Sequence, residues 1–176
     1  MSGSRCVVTG ANRGIGLEFV RQLLARGDEV VAGCRDPGAA SELAALATDG
    51  RLHVLALEIA DAGSRAGFVT AVGERLPALD LLVNNAGMLV SGERFGTVAQ
   101  ATLERTFSVN VAGPFLLTQA LAPRLERGRR PRVASVSSTM ASIAALQGFN
   151  APSYSISKTA LNMASALLAQ ALNPRG

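Results

Sequence analysis

Thr9-Gly10-Ala11-Asn12-Arg13-Gly14-Ile15-Gly16 (TGANRGIG) follows a short apolar run, Arg5–Thr9 (RCVVT), and opens a stretch of helical character that continues through Arg26. Gly10 permits a tight turn, Gly14 lets main chain approach a pyrophosphate, and Gly16 lets the helix pack closely on the strand. The helix N-terminus then offers unpaired N–H groups and its positive dipole end to an anion. Glycine triplets also occur in turns for structural reasons alone. This one lies after the first strand and at the start of the first helix, which points to a dinucleotide.

Outward from this turn the chain alternates strand and helix. Gly27-Asp28 stops the first helix, and Glu29–Cys34 (EVVAGC) reads as a second strand. Asp36-Pro37-Gly38 is a turn before a short Ala-rich helix to about Ala47, and residues 51–59 (RLHVLALEI) form a third strand. A helix over 63–76 is closed by Pro77, residues 79–84 (LDLLVN) give strand four, and helical sequence over 98–126 is interrupted near Gly113-Pro114. Residues 132–137 (RVASVS) are strand five, and a last helix runs over 154–172. Strands separated by helices imply a parallel sheet with right-handed crossovers. The expected architecture is one doubly wound α/β domain of the Rossmann type over residues 1–176.

The totals agree with a packed domain. Apolar residues make up 48% of the 176 and charged residues 17%, which excludes a disordered tail. Scarce aromatics with many Ala, Gly, Val and Leu suit helices packed closely on both faces of a parallel sheet. The net charge of +4 raises the question of nucleic acid, but the basic residues are spread along the chain. The one tight group, Arg124, Arg127, Arg129, Arg130 and Arg132, falls between a helix and a strand and reads as a solvated connection. Cys6 and Cys34 lie inside strands without metal-ligand spacing, and His53 has no companion ligand, so no metal site is expected. No apolar run is long enough to span a membrane and no leader pattern is present, so the expectation is a cytoplasmic protein without nucleic-acid or membrane partners.

Further motifs follow in order. Asn84-Asn85-Ala86-Gly87 comes after strand four, Asn110 lies in the long helical region, Ser138 follows strand five, and Tyr154-Ser155-Ile156-Ser157-Lys158 opens the last helix. With TGxxxGxG at the start, these resemble the short-chain dehydrogenase/reductase family along the entire chain. The CRDP at residues 34–37 and the ending around Lys158 resemble its C-factor and sniffer branch. The resemblance implies an oxidoreductase that transfers a hydride between NADP(H) and a carbonyl or alcohol substrate. It also implies the strand order 3-2-1-4-5.

Tyr154 is the sole tyrosine and Lys158 the sole lysine, four apart at the start of a helix and therefore on one face. The bland alternative is an amphipathic tyrosine at a helix end beside a solvated lysine. Carbonyl reduction needs a proton for the developing alkoxide. A phenol, with its ordinary pKa of about 10, gains acidity from a nearby ammonium, an attraction of about 4 kcal/mol at ~4 Å and an effective dielectric of about 20. The resemblance makes Tyr154 the general acid/base and lets Lys158 also hold ribose hydroxyls. It makes Ser138 the donor to the substrate oxygen, with Ser137 as rival, and has Asn110 hold a water that relays protons through Lys158. Asn110 can equally be an ordinary polar residue near a helix kink.

The cofactor is expected to rest on Gly10, Asn12, Arg13, Gly14, Ile15 and Gly16, and, by resemblance, on Asn85, Ala86 and Gly87. Asp36 sits 20 residues after Gly16, where a ribose-binding acid would suggest NAD(H). The family's acid position is occupied by Cys34, however, and Arg35 comes next. Arg35 and Arg13 can bracket a 2′-phosphate, which favours NADP(H) over NAD(H). Glu58 stands where the resemblance places an adenine-contacting aspartate, and the Ile59 main chain is an alternative contact.

The resemblance implies two further strands and a substrate segment after the tyrosine-bearing helix, and none follows Gly176. Val133 and Val136 would then form an uncovered apolar edge, expected to cause poor solubility or to seek a partner. Helices at 110–126 and 154–172 correspond to a subunit interface in the family, which keeps a homodimer open. A second reading is a catalytically impaired NADP-binding remnant or interaction module.

Overall fold

The computed structural model describes residues 3–173. Five parallel strands, β1 (Arg5–Thr9), β2 (Glu29–Cys34), β3 (Leu52–Ala56), β4 (Leu81–Asn84) and β5 (Arg132–Ser135), form one sheet in the order β3-β2-β1-β4-β5. This is the doubly wound order expected. Register follows the apolar runs: Val7 lies beside Val31 on one side and Leu82 on the other, and Leu82 beside Val133.

Each central strand buries both faces, which is why its sequence is continuously apolar rather than alternating. Cys6, Val8, Val30 and Ala32 pack under α1 (Gly14–Ala25) and α2 (Ser41–Leu46), where Leu17, Val20 and Leu43 meet them. The intervening residues Val7, Val31 and Leu82 point the other way. They meet Phe68 and Val72 of α3 (Ala62–Arg75) and Leu117 and Leu121 of α5 (Gly113–Leu125). Burial pushes the Cys6 thiol up to about 12, so it behaves as a core group. His53 on edge strand β3 lies 3.2 Å from Glu29.

The long helical region is not broken at Gly113-Pro114. Instead α4 (Gln100–Phe107) passes into α5 through a single π turn at Ser108–Ala112. Pro114 has no N–H for the carbonyl four residues back, so the ladder widens there, and the Gly113 N–H reaches the Ser108 carbonyl. Strands three and five are shorter than the sequence suggests, ending at Ala56 and Ser135. Their last apolar residues enter loops that line the site.

After β5 the chain makes a short 3-10 turn (Thr139–Ala141) and a loop before α6 (Pro152–Leu172), which starts two residues earlier than expected. Among the described residues β5 pairs only with β4. A groove of about 780 Å³ runs along its free edge, lined in part by Phe19, Leu81, Val133, Leu168 and Leu172. Val133 and Val136, expected to form an uncovered apolar edge, are instead partly buried and pack against the two cores. No helix among the described residues is long and apolar enough to cross a membrane.

Candidate active site

The crevice at the carboxyl ends of β1 and β4 encloses about 550 Å³. Gly10, Asn12, Arg13, Gly14 and Ile15 form one wall, and Asn85, Ala86 and Gly87 form another. Arg35, Glu58 and Ile59 close its far end. Ligands in open α/β sheets bind at such a point, where strand order reverses.

Two glycines explain the shape. At Gly16 an added Cβ would fall 2.3 Å from the Gly10 carbonyl oxygen and 2.5 Å from Asn85 Nδ2, so only glycine lets α1 start this close. At Gly14 the backbone is left-handed (φ 55°), yet a Cβ would meet nothing within 4 Å. That open space, at the N-terminus of α1, fits a pyrophosphate.

Thr9 holds the two walls together, a role the motif reading passed over. Its buried hydroxyl accepts from the N–H groups of Asn85 (3.1 Å) and Ala86 (3.0 Å). Asn85 Nδ2 in turn donates to the carbonyls of Thr9 (2.9 Å) and Gly10 (3.0 Å). A hydroxyl residue at the end of a strand and just before a glycine turn was the available signal.

At the end of β2, Arg35 is exposed and faces the crevice. The Asp36 carboxylate accepts from the Ala39 N–H at 3.1 Å, a local turn bond. Glu58 is also engaged: it accepts from the Ala60 N–H at 3.2 Å, and its other oxygen lies 3.7 Å from Arg105. Arg105 of α4 lines the crevice as well, and nothing in its sequence context had marked it.

Gly87 joins the crevice to the second group of residues. A Cβ there would lie 3.3 Å from Asn110 Oδ1 and 3.6 Å from Lys158 Nζ. Lys158 is 4% exposed, and its ammonium donates to the Val136 carbonyl at 2.7 Å. The same ammonium lies 5.7 Å from the centre of the Tyr154 ring. Burial pushes the Lys158 pKa below the ordinary lysine range.

The two serines after β5 differ. Ser137 donates to Asn162 Oδ1 at 2.6 Å, whereas Ser138 accepts from the Met140 N–H at 3.1 Å and donates to none of the described residues. Asn110, in the π turn, spends both amide N–H groups, on the Met88 carbonyl and Ser157 Oγ (2.9 Å each), and its Oδ1 accepts from the Met88 N–H at 2.8 Å. The side chain therefore ties the loop after β4 to α6. Met88 had no marking in the sequence, and Ser157 stood in the quoted pentapeptide without a role of its own, because the contacts span 22 and 47 residues.

Comparison with known proteins agrees with this arrangement. Sniffer of Caenorhabditis elegans superposes with a TM-score of 0.92 at 35% identity, covering 99% of this chain and 82% of that one. The NADPH-bound carbonyl reductase from chicken fatty liver gives 0.93 at 34% identity, covering 100% and 77%. Among curated relatives, C-signal of Myxococcus xanthus is 42% identical over 98 residues, 56% of this chain and 59% of that protein. Dehydrogenase/reductase SDR family member 13 of Bos taurus is 37% identical over 142 residues, 78% of this chain and 36% of that protein. The chain thus spans less than two thirds of the length of these two curated relatives. The family model described as short chain dehydrogenase matches residues 4–176, and the chain belongs to that family.

Proposed function

We propose that this chain acts as an NADP(H)-dependent oxidoreductase that interconverts a small carbonyl compound and its alcohol, with Tyr154 as the proton donor and acceptor. One observation carries the reading: a buried ammonium, Lys158, lies 5.7 Å from the sole phenol and borders the glycine crevice through Gly87. When bound, the nicotinamide supplies or takes up the electron pair as hydride.

The chain's own residues supply the rest. Gly10, Asn12, Arg13, Gly14, Ile15 and Gly16 cradle the pyrophosphate, with Asn85, Ala86 and Gly87 opposite. Arg35 and Arg13 take the 2′-phosphate; Arg35 faces the crevice and Asp36 is used in its own turn, which supports NADP(H) over NAD(H). The Glu58 carboxylate is held by Ala60 and Arg105, which supports an adenine contact through the Ile59 main chain. Ser138, whose hydroxyl donates to none of the described residues, donates to the substrate oxygen as negative charge develops there. Lys158 places a buried cation 5.7 Å from the Tyr154 ring, on the same helix face as the phenol that exchanges the proton. Asn110 keeps α6 and the loop after β4 in register; a relay water would use only the spare lone pair of its Oδ1.

A second reading, a dinucleotide-binding module without turnover, is favoured by the loop between β5 and α6. Its Ile143 and Leu146 are 78% and 65% exposed, with no substrate wall over them among the described residues. NADPH binding measured beside NADPH oxidation with a panel of aldehydes and ketones separates the two. Binding with turnover supports the first reading, binding without it the second, and no binding ends both.

A further inference from the structure

We propose that Glu93 is a positioning residue for Tyr154: from the loop after β4 its carboxylate takes the N–H and hydroxyl of Ser153 and so fixes the first turn of α6. The proposal rests on the functional reading of Tyr154 given above, and deepens it.

The start of α6 lacks an ordinary cap. Its N-cap residue, Ala151, offers no side-chain acceptor and sits in the left-handed region at φ 39°. A non-glycine residue pays strain there, and the following Pro152 further disfavours anything but extended backbone at this position. Such a conformation persists only where its surroundings hold it. Ser153 is 1% exposed and is the first residue of the helix with an N–H to satisfy, because Pro152 has none.

Glu93, 60 residues earlier in the chain, supplies what is missing. Its Oε2 accepts the Ser153 N–H at 3.2 Å and its Oε1 accepts the Ser153 hydroxyl. A carboxylate at this end of a 21-residue helix also meets the positive end of the dipole. The same two loops meet a second time through Phe95 and Phe149, whose rings stand edge to face at 5.8 Å and 84°. Deeper along α6, Ser157 reaches the same loop through Asn110 and Met88. Tyr154 therefore lies between two stitches to the loop that also carries the Asn85–Gly87 wall.

The chain has one tyrosine and no tryptophan, so its intrinsic emission reports Tyr154 alone. Acrylamide quenching of that emission, Tm, and kcat and KM for NADPH would be measured for wild type, E93A and E93Q. A glutamine can still accept the N–H and donate to the hydroxyl. E93A is expected to raise the quenching constant and to lower kcat by up to about 100-fold, with KM for NADPH little changed. E93Q is expected to restore both. Wild-type quenching or wild-type kcat in E93A, or equal damage in E93A and E93Q, overturns the proposal. If E93A does not fold, S153A carries the same test through loss of the hydroxyl contact. If the wild type oxidises no NADPH, the functional reading falls while quenching still decides whether Glu93 holds the helix.

Discussion

The Lys158 ammonium lies 5.7 Å from the centre of the Tyr154 ring while donating to the Val136 carbonyl at 2.7 Å. One helical turn brings the two side chains to the same face, and the end of β5 fixes where the ammonium stops. The charge is held at a cost, since burial lowers the Lys158 pKa.

That cost gives a first prediction. A base whose folded pKa is lowered binds fewer protons folded than unfolded, so stability rises as pH climbs from that lowered value towards 10.5. Replacing the ammonium by an apolar chain removes the penalty. K158M is expected to keep or raise Tm at neutral pH while turnover falls on the order of 10²- to 10⁴-fold. Thermal melts and NADPH oxidation on the same preparation check it; a lower Tm with turnover retained would contradict it.

Arg35 faces the crevice and Asp36 does not. R35A is expected to weaken NADPH roughly 10- to 100-fold, the worth of a charge-assisted phosphate contact, and to leave NADH nearly unchanged. D36A is expected to alter neither affinity much. Equal loss of both cofactors in R35A would sink the 2′-phosphate assignment.

Gly14 and Gly16 should respond differently to alanine. In G16A the new methyl meets the Gly10 carbonyl and Asn85, so both Tm and NADPH affinity fall. In G14A the space is open, so stability drops only by the left-handed strain, about 1–2 kcal/mol, while affinity falls further because the methyl enters the pyrophosphate's place. Calorimetry and equilibrium binding distinguish them, and a G14A protein that binds like wild type would refute the cradle.

Asp80 predicts the acid limit of the fold. Burial pushes its carboxyl up, but bonds from the Arg5 guanidinium and from the main-chain N–H groups of Arg5 and Arg129 outweigh that and hold it at about 2. A carboxylate with a lowered folded pKa stabilises the fold above its unfolded value of 3.8, and that stability is lost as pH falls towards 2. The contribution is about 2 kcal/mol. D80N should therefore flatten the loss of stability between these values in denaturant titrations; an unchanged pH slope would show that other carboxylates control it.

The sequence by itself determined the alternation of strand and helix and the glycine turn at TGANRGIG, because these depend on local periodicity and on positions where only glycine fits, while the sheet order and the Asn85–Gly87 wall were implied by the family resemblance. It also singled out Tyr154 and Lys158, since a four-residue spacing on a helix is a local geometry. Tertiary structure alone decided which groups were already engaged. Asp36 is spent on its own turn, Ser137 on Asn162, and the amide of Asn110 on Met88 and Ser157. It also revealed Thr9 as the tie between β1 and the loop after β4, Arg105 beside Glu58 in the lining of the crevice, and Glu93 at the head of α6. These contacts join residues tens of positions apart, and hydrogen-bond partners at that separation leave no periodic trace in a single sequence.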